Sequence, residues 1–341
     1  MRTHLRTGLV TLLAVGLFAW FLRSANLGNV WAELRRARGD LLALSLVLVA
    51  TTYWARAVRW QFLLAPIGRT RFRTAVRTTV IGFAASFLLP ARAGDVLRPY
   101  LLAKAEGLNP SSTFATIVIE RVLDMVAVLL LLSLYAFGGP AGATEPAAMR
   151  AVRLSAVVAA LAAIVLLTVM FVLAHHPERV GALVLKVGGI LPARFAGMIA
   201  SFATAFSEGL AVVKTPRALA VATAWSIPLW FAIAMQAWTV TRAFGIEVPL
   251  LGSFLVQALL VIGIAVPTPG GVGGFHEAYR FGVTTFFGAS NDAAVGAAIV
   301  LHAVSFVPVT ILGVWFMAAD GMNIFGLQAV ARDAQKDGAR P

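Results

Sequence analysis

No cysteine occurs in this sequence, and charged residues make up only 13% of it. The absence of cysteine excludes disulfides and thiolate metal sites, although it does not identify a cellular compartment. The scarcity of charge accompanies 60% hydrophobic residues and a mean hydropathy of +0.85, which excludes a soluble domain of ordinary composition. The sequence therefore predicts an all-α membrane protein that crosses the bilayer several times.

Acidic residues are scarce as well, because 15 Asp and Glu stand against 28 Lys and Arg and give a net charge of +13. Such an excess is also typical of nucleic-acid binding. Here, however, the basic residues flank apolar segments, where the positive-inside rule and anionic lipid account for them. We therefore predict membrane lipids as partners and no nucleic-acid partner.

Common motifs of catalysis and cofactor binding are missing too. The glycine run at residues 270–274 has neither the spacing nor the strand–turn–helix context of a phosphate-binding fingerprint. No set of nucleophile, base and acid is recognisable. We predict no catalytic residue, no cofactor and no metal, and we expect that the protein is not an enzyme.

Six apolar segments are long enough to cross a membrane, since a span needs roughly 20 residues. Two shorter apolar segments, near residues 75–104 and 250–288, are interrupted by Pro and Gly, and we interpret them as re-entrant helical hairpins. The six predicted spans are residues 7–22, 41–64, 113–137, 151–174, 218–241 and 293–318.

The loops 138–149 and 246–249 contain no Lys or Arg, so we assign them to the outside and both termini to the cytosol, at the plasma (inner) membrane. The loop 23–40 carries four arginines and disagrees with this orientation, and an interfacial amphipathic helix there is an alternative. The chain divides into an N-terminal anchor span and interfacial loop (1–40), a first membrane half (41–174), a cytoplasmic or interfacial connector (175–217), a second membrane half (218–318) and a cytoplasmic tail (319–341).

Similar breaks interrupt both predicted hairpins. The first break, residues 90–98, reads PARAGDVLR, and the second break, residues 269–280, reads PGGVGGFHEAYR. Irregular backbone at membrane depth is tolerated only when it is buried in protein or lines a wet cavity. Two matching breaks favour an inverted repeat with a substrate site between its halves, whereas chance alignment of Pro and Gly is the alternative. The predicted hinge residues are Pro90, Gly94, Pro267, Pro269, Gly270, Gly271, Gly273 and Gly274.

Charged residues inside apolar segments are the candidate binding residues, because a charge at the membrane centre costs about 2.5–3.5 kcal/mol. Arg56 and Arg59 are one helical turn apart and can address one partner, although Arg59 is also placed to snorkel to the interface. Arg121 and Asp124 can pair within one helix, so a purely structural salt-bridge cluster is an alternative. The predicted substrate-binding residues are Arg56, Arg92, Asp95, Arg98, Glu120, Arg121, Asp124, Glu277 and Arg280.

In the second break a helix is predicted to begin near Phe275, and its N-terminus would attract an anion. Glu277 is either part of this site or a helix-capping residue. His276 and His302 are either proton-relay groups or neutral hydrogen-bonding residues, and the lack of acidic partners favours the second interpretation.

Three motifs resemble those of the lysylphosphatidylglycerol synthase transmembrane region, also called the flippase-like domain family. They are LPARAGDVLR at residues 89–98, IERVLD at 119–124 and PTPGGVGGFHE at 267–277, and the resemblance covers about residues 41–318. The family usually has Glu where this chain has Asp95, and Phe275 and His276 lengthen the glycine motif. These departures concern substrate preference.

The resemblance implies that the protein moves a lipid between leaflets, with an anionic or glycosylated head group such as an aminoacylated phosphatidylglycerol or a polyprenyl-phosphate-linked sugar. Family members that make lysylphosphatidylglycerol carry a soluble transferase domain after the membrane part. The present sequence ends at Pro341, so we do not expect it to transfer lysine by that route.

Two other functions remain open from the sequence. One is a membrane-embedded, polyprenyl-phosphate-dependent transferase with Glu120 or Asp95 as the base; it would need a cation held by clustered carboxylates, and the neighbouring arginines argue against this. The other is a non-catalytic accessory subunit of a glycosyltransferase or lipid-modifying enzyme.

Overall fold

A computed structural model describes residues 2–23, 25–89, 92–138, 146–175, 210–266 and 268–322. The described residues form eleven α-helices, two short 3-10 turns and no β-strand. Pro90, Pro267, most of the predicted connector and most of the predicted tail lie outside them. The helices are α1 (Arg2–Leu22), α2 (Leu27–Arg36), α3 (Gly39–Leu64), α4 (Phe72–Leu88), α5 (Gly94–Glu106), α6 (Pro110–Gly138), α7 (Pro146–His175), α8 (Pro216–Ala243), α9 (Gly252–Ala265), α10 (Gly274–Phe287) and α11 (Asn291–Ala319).

The helices confirm the all-α class, and each of the six predicted spans falls within one of them. Among the described residues, α3, α8 and α11 are long and apolar enough to cross a membrane by themselves. The helix α6 is as long as α11 but carries three charged residues, Glu120, Arg121 and Asp124, in its middle. The total of six spans stays a prediction.

An amphipathic helix, α2, occupies the loop whose arginines disagreed with the predicted orientation. Its start is capped by the Asn26 side chain, which accepts hydrogen bonds from the backbone N–H groups of Gly28 and Asn29. Val30 is buried, whereas Trp31 on the other face is 57% exposed. The Asn29 side chain donates to Asp292 at 2.9 Å, so α2 rests on the start of α11.

Two groups of four helices repeat the same order of lengths. We call α3–α6 the first quartet and α8–α11 the second quartet. In each, a long helix is followed by two short helices and another long one, with 26, 17, 13 and 29 residues in the first quartet and 28, 14, 14 and 29 in the second. The short helices are the two predicted hairpins, α4–α5 and α9–α10.

The quartets run in opposite directions. The backbone N–H of Arg38, at the start of α3, donates to the carbonyl of Ala243, at the end of α8. Arg77, near the start of α4, pairs with Asp320, just after the end of α11. Thus α3 and α8 run antiparallel, and so do α4 and α11. The helix α3 packs along α8, α4 packs on α11, and α9 packs on α6. Each quartet therefore places its hairpin beside the last helix of the other.

Within each hairpin, the two arms touch through glycine. A Cβ atom on Gly94, the first residue of α5, would collide with the carbonyl oxygen of Gly82 on α4. A Cβ on Gly274, the first residue of α10, would collide with the carbonyl oxygen of Gly263 on α9 in the same way. Only glycine allows two helical backbones to approach this closely.

Candidate functional site

Six charged side chains from three helices of the first quartet converge in the interior. On α6, Glu120 and Asp124 are four residues apart and therefore share one face, with Arg121 beside them. This face meets α3 and α5. The side chains that converge are Arg56 and Arg59 of α3, Arg98 of α5, and Glu120, Arg121 and Asp124 of α6; we call them the charged cluster.

Glu120 is fully buried and contacts three arginines through a single carboxylate oxygen. Its Oε1 accepts hydrogen bonds from Arg98 Nη1 at 2.8 Å and from Arg121 Nη2 at 3.1 Å. Arg59 Nη2 lies 3.6 Å from the same atom. Because a buried carboxylate is very costly without partners, these contacts explain how Glu120 is tolerated at this depth.

Asp124 forms the second centre of the charged cluster. Its Oδ1 accepts from Arg59 Nη1 at 2.7 Å and from Trp230 Nε1 on α8 at 2.8 Å. Its Oδ2 lies 3.4 Å from Arg121 Nη1 and 3.9 Å from Arg56 Nη1. The predicted Arg121–Asp124 pair is confirmed, and so is the prediction that Arg56 and Arg59 address one partner.

Aromatic faces supply the remaining contacts of two arginines. The Arg98 guanidinium lies 3.9 Å from the centre of the Trp60 ring, and the Arg56 guanidinium lies 4.9 Å from that of Phe83. Both distances fall within the range of cation–π attraction. Such rings stabilise a buried cation without neutralising it, so the positive charge remains available to an anion.

The charged cluster contains more positive than negative charge. Four arginines meet two acids, and Asp95, 3.7 Å from Arg121, adds a third acid. Several of the arginine N–H groups make no hydrogen bond within the part of the chain that the structure describes, although buried donors normally do. They are Nη1 of Arg56, Nε and Nη2 of Arg59, Nε and Nη2 of Arg98, and Nε of Arg121.

A cavity of about 380 Å³ opens beside the cluster, between the two breaks. Among the described residues, every charged side chain that lines it belongs to the first quartet: Arg56, Arg92, Asp95 and Arg121. The described residues of the second quartet contribute no charged side chain to the lining, and most of theirs are apolar or aromatic, such as Leu260, Ile264, Phe275 and Phe306. The cavity is therefore amphipathic, with a basic side and an apolar side.

The backbone of the first break is strained at Arg92. Its φ of 52° lies in the left-handed region, which costs a non-glycine residue about 1–2 kcal/mol. The second break reaches the same region with Gly270, Gly271 and Gly273, which carry no such cost. A strained arginine that lines a cavity is typical of a functional site.

Glu277 and Arg280 lie apart from the charged cluster. Arg280 donates to both carboxylate oxygens of Glu277, at 2.8 and 2.6 Å, and also to the side chain of Asn291 at 2.9 Å. Neither Glu277 nor Arg280 lines the cavity. The helix α10 begins at Gly274, which confirms the prediction of a start near Phe275. It packs on α11, and Glu277 and Arg280 lie on it away from the cavity.

His276 and His302 bind the backbone of the second break. Their rings stack 4.5 Å apart, a ring nitrogen of His302 lies 2.8 Å from the Gly270 carbonyl oxygen, and His276 Nδ1 accepts from the Gly273 N–H at 3.4 Å. Both therefore hydrogen-bond to the glycine turn, in agreement with the interpretation that the sequence favoured.

Sequence reasoning did not select several residues of the site. The snorkelling alternative for Arg59 is wrong, because its side chain is fully buried and donates to Asp124 and Ser226. Its spacing of three residues from Arg56 was the available signal. Trp60 and Trp230 carried no such signal, since an aromatic residue in an apolar helix is common.

Comparison with known proteins agrees with the motifs and the fold. The family model described as the lysylphosphatidylglycerol synthase TM region matches residues 8–313, which is most of the chain. The chain belongs to this family. The resemblance seen in the motifs is thereby confirmed, and it extends further toward the N-terminus than residue 41. Membership, together with helices apolar enough to span, makes this a membrane protein.

Three curated proteins are similar to the chain over most of its length. The "Glycosyltransferase AglD" of Haloferax volcanii is 24% identical over 96% of the chain, which spans 55% of the length of that relative. A "UPF0104 membrane protein" of Methanothermobacter thermautotrophicus is 23% identical over 84% of the chain and 85% of the relative. The "UPF0104 membrane protein PH1989" of Pyrococcus horikoshii is 25% identical over 83% of the chain and 90% of the relative.

Proposed function

We propose that the protein is a flippase-like lipid translocase that binds the phosphate of an anionic phospholipid or polyprenyl-phosphate-linked sugar in the cavity. The observation that carries this proposal is the surplus of arginine over acid beside the cavity, where Arg56 and Arg121 each keep an N–H group without a hydrogen bond to any described residue. A phosphate bound in the cavity would supply the missing negative charge.

Arginine suits this task because its planar guanidinium grips phosphate oxygens with two parallel hydrogen bonds. Glu120 and Asp124 hold Arg121 in place, and Asp124 also lies 3.9 Å from Arg56, so these two arginines lose little side-chain freedom on binding. Arg56, Arg92 and Arg121 face the cavity and are the proposed phosphate ligands, with Arg98 behind them. The role predicted for Glu277 and Arg280 has no support from the cavity lining.

The apolar side of the cavity is suited to the hydrocarbon of the same lipid. Sites for small molecules are mostly apolar with a few convergent polar groups, and this cavity has that character. A lipid with its phosphate at the arginines would place the adjoining chain against side chains such as Phe87, Leu260 and Phe306.

We also propose that the two hairpins are re-entrant and that the quartets form an inverted repeat. Their matching helix lengths and opposite directions support this, and both breaks line the cavity. In transporters with inverted repeats, rocking of one repeat against the other exposes a fixed site to each side of the membrane in turn. We place the first hairpin on the cytosolic side and the second on the external side, with both termini in the cytosol of a cell whose plasma membrane holds the protein.

One comparison favours a second candidate. The Haloferax relative is named a glycosyltransferase, and the chain aligns with 55% of its length. The protein would then be a membrane-embedded transferase or an accessory subunit that assists a separate glycosyltransferase or lipid-modifying enzyme. For a transferase, the base would be Glu120 or Asp95, both of which contact Arg121.

Leaflet exchange in liposomes tests the translocase directly. Purified protein is reconstituted with fluorescent phosphatidylglycerol or a fluorescent polyprenyl-phosphate sugar, and exchange is followed with an external quencher. A hydrogen bond to a charged group contributes about 1.5–3 kcal/mol, so Arg121→Ala and Arg92→Ala should each slow exchange about 10- to 100-fold. Arg242→Ala removes an arginine that pairs with Glu247 outside the cavity and should exchange lipid at the parent rate.

Equal exchange by all three variants and the parent contradicts the assignment of the phosphate site. If the parent exchanges none of these lipids but turns over the head group in the same vesicles, the transferase is correct instead. If neither lipid exchange nor head-group turnover is detected, the accessory role remains. It is then tested by co-purification with a glycosyltransferase from the same organism.

A further inference from the structure

Two positions of the charged cluster have counterparts in the second quartet that carry no charge. Arg59 lies twenty residues after the start of α3, and Gln236 lies twenty residues after the start of α8. Asp124 lies fourteen residues after the start of α6, and Ser305 lies fourteen after the start of α11. The Arg59–Asp124 ion pair thus has an equivalent in the second quartet, at Gln236 and Ser305.

The two residues of each equivalent pair are joined by a hydrogen bond. Gln236 Nε2 donates to Ser305 Oγ at 3.0 Å, as Arg59 Nη1 donates to Asp124 Oδ1 at 2.7 Å. Both Gln236 and Ser305 line the cavity. The second quartet therefore places an uncharged counterpart of the Arg59–Asp124 pair in the lining of the cavity.

Two further polar oxygen atoms of the second quartet make no hydrogen bond to any described residue. One is Oε1 of Gln257, a side chain that lines the cavity and is only 5% exposed. The other is Oγ1 of Thr268, a half-buried residue that also lines the cavity. A buried unpaired oxygen costs about 1–3 kcal/mol, so a hydroxyl donor brought into the cavity would relieve that cost at these two acceptors.

Gln236 lies a short distance along α8 from a residue that contacts the charged cluster. Trp230, which bonds to Asp124, precedes Gln236 by six residues, or about 9 Å of helix. That distance is similar to the reach of a sugar or glycerol attached to a phosphate. The arrangement therefore suits one head group that carries both an anionic and a hydroxylated part.

From this juxtaposition we infer that Gln236, Gln257, Thr268 and Ser305 form a second subsite, which binds the hydroxyl groups of a phosphate ester while the arginines bind its phosphate. The inference rests on the proposed phosphate site and narrows its substrate class. The favoured lipid carries a neutral polyhydroxyl group, a sugar or glycerol, on its phosphate. A bare lipid phosphate would leave the subsite unpaired and bind more weakly, as sites built for hydroxyl groups discriminate strongly against analogues without them.

Binding of soluble head-group analogues tests this subsite separately from transport. The detergent-purified full chain is titrated with inorganic phosphate, glycerol 1-phosphate and glucose 1-phosphate, and the apparent Kd is obtained from the rise of the thermal unfolding midpoint. The parent should bind at least one hydroxylated ester more tightly than phosphate. Gln257→Met and Ser305→Ala should each weaken that ester about three- to tenfold and leave phosphate unchanged, since one or two hydrogen bonds are lost.

Gln61→Met is the matched control, because Gln61 bonds to the Thr70 carbonyl outside the cavity and should bind all three probes like the parent. Ser305→Ala is the smaller change, because it removes a single oxygen. It keeps the test valid if Gln257→Met fails to fold. If phosphate binds but the esters bind no better, or if Gln257→Met and Ser305→Ala weaken phosphate and esters alike, the subsite is wrong while the phosphate site stands. If no probe binds the parent, the phosphate site itself fails.

Discussion

At the scale of single residues, the acids and arginines of the charged cluster have different roles. Glu120 and Asp124 each contact at least three arginines, whereas the arginines outnumber the acids. Removing an arginine moves the cluster toward neutrality, but removing an acid leaves buried cations without compensation. The acids should therefore matter most for folding and the arginines most for binding.

Asp124→Asn tests this difference in stability. It preserves the shape of the side chain but removes a charge that compensates Arg59, Arg121 and Arg56, and breaking a buried ion pair typically costs about 3–5 kcal/mol. We expect a loss of that size in the unfolding free energy, measured by denaturant titration in detergent micelles. Arg59→Met should lose clearly less.

The control for this comparison is Asp40→Asn. Asp40 pairs with Arg38 at the protein surface, where both side chains are mostly exposed, so the midpoint should not move. If Arg59→Met destabilises as much as Asp124→Asn, the cluster is held by individual hydrogen bonds and its charge balance is irrelevant to folding.

The sequence predicted part of this cluster and missed the rest for a physical reason. The high cost of charge in a membrane singled out Glu120, Arg121 and Asp124 at once. The partners of Asp124 come from distant positions, since Trp230 lies on α8, more than a hundred residues later. Contacts over such separations depend on helix packing, and no local sequence pattern in α8 predicts them.

At the scale of the helices, glycine sets the geometry of both hairpins. Gly82 and Gly94 touch in the first hairpin, and Gly263 and Gly274 touch in the second. Any side chain at these crossings must push the arms apart and would displace the residues that follow, including Arg98 one turn after Gly94.

Gly94→Ala and Gly274→Ala should each destabilise the protein by about 1–3 kcal/mol, the usual cost of overpacking a close contact. Gly16→Ala is the matched control, because nothing lies within 4 Å of its new methyl group and alanine is the better helix former. Unfolding in detergent micelles measures all three, and an unchanged midpoint for both hairpin variants would show that the arms separate without cost.

Helix positions were predictable from the sequence because their signals are local. Pro and Gly mark both breaks, and the glycine run placed the start of α10 within one residue of Gly274. The direction of α10 was not predictable. The acid and arginine that end the two breaks look equivalent in sequence, yet Arg98 faces Glu120 in the interior while Arg280 pairs with Glu277 away from the cavity.

At the scale of the whole molecule, the opposite directions of the quartets lead to a labelling test. The loop before the first hairpin contains Arg69, and the loop before the second contains Glu247; both side chains are exposed. Because the natural chain has no cysteine, a single introduced thiol gives an unambiguous signal. In intact cells a membrane-impermeant maleimide should label Glu247→Cys and leave Arg69→Cys unlabelled until the membrane is permeabilised.

Labelling of both positions from one side would contradict the inverted arrangement. Labelling of Arg69→Cys alone in intact cells would keep the inverted arrangement but reverse the orientation, which would also remove the conflict with the arginines of the loop 23–40. Surface charge indicated the orientation only indirectly, whereas the pairing of helix ends fixes the relative direction of the quartets.

The glycine contacts within the hairpins also have a mechanical consequence. The backbones of Gly82 and Gly94 are in direct contact, as are those of Gly263 and Gly274, so the two arms of each hairpin cannot approach any further. We therefore expect each hairpin to move as one body and not as two helices joined by a flexible turn. A displacement of α4 would then be passed on to α5, which carries Arg98 of the charged cluster.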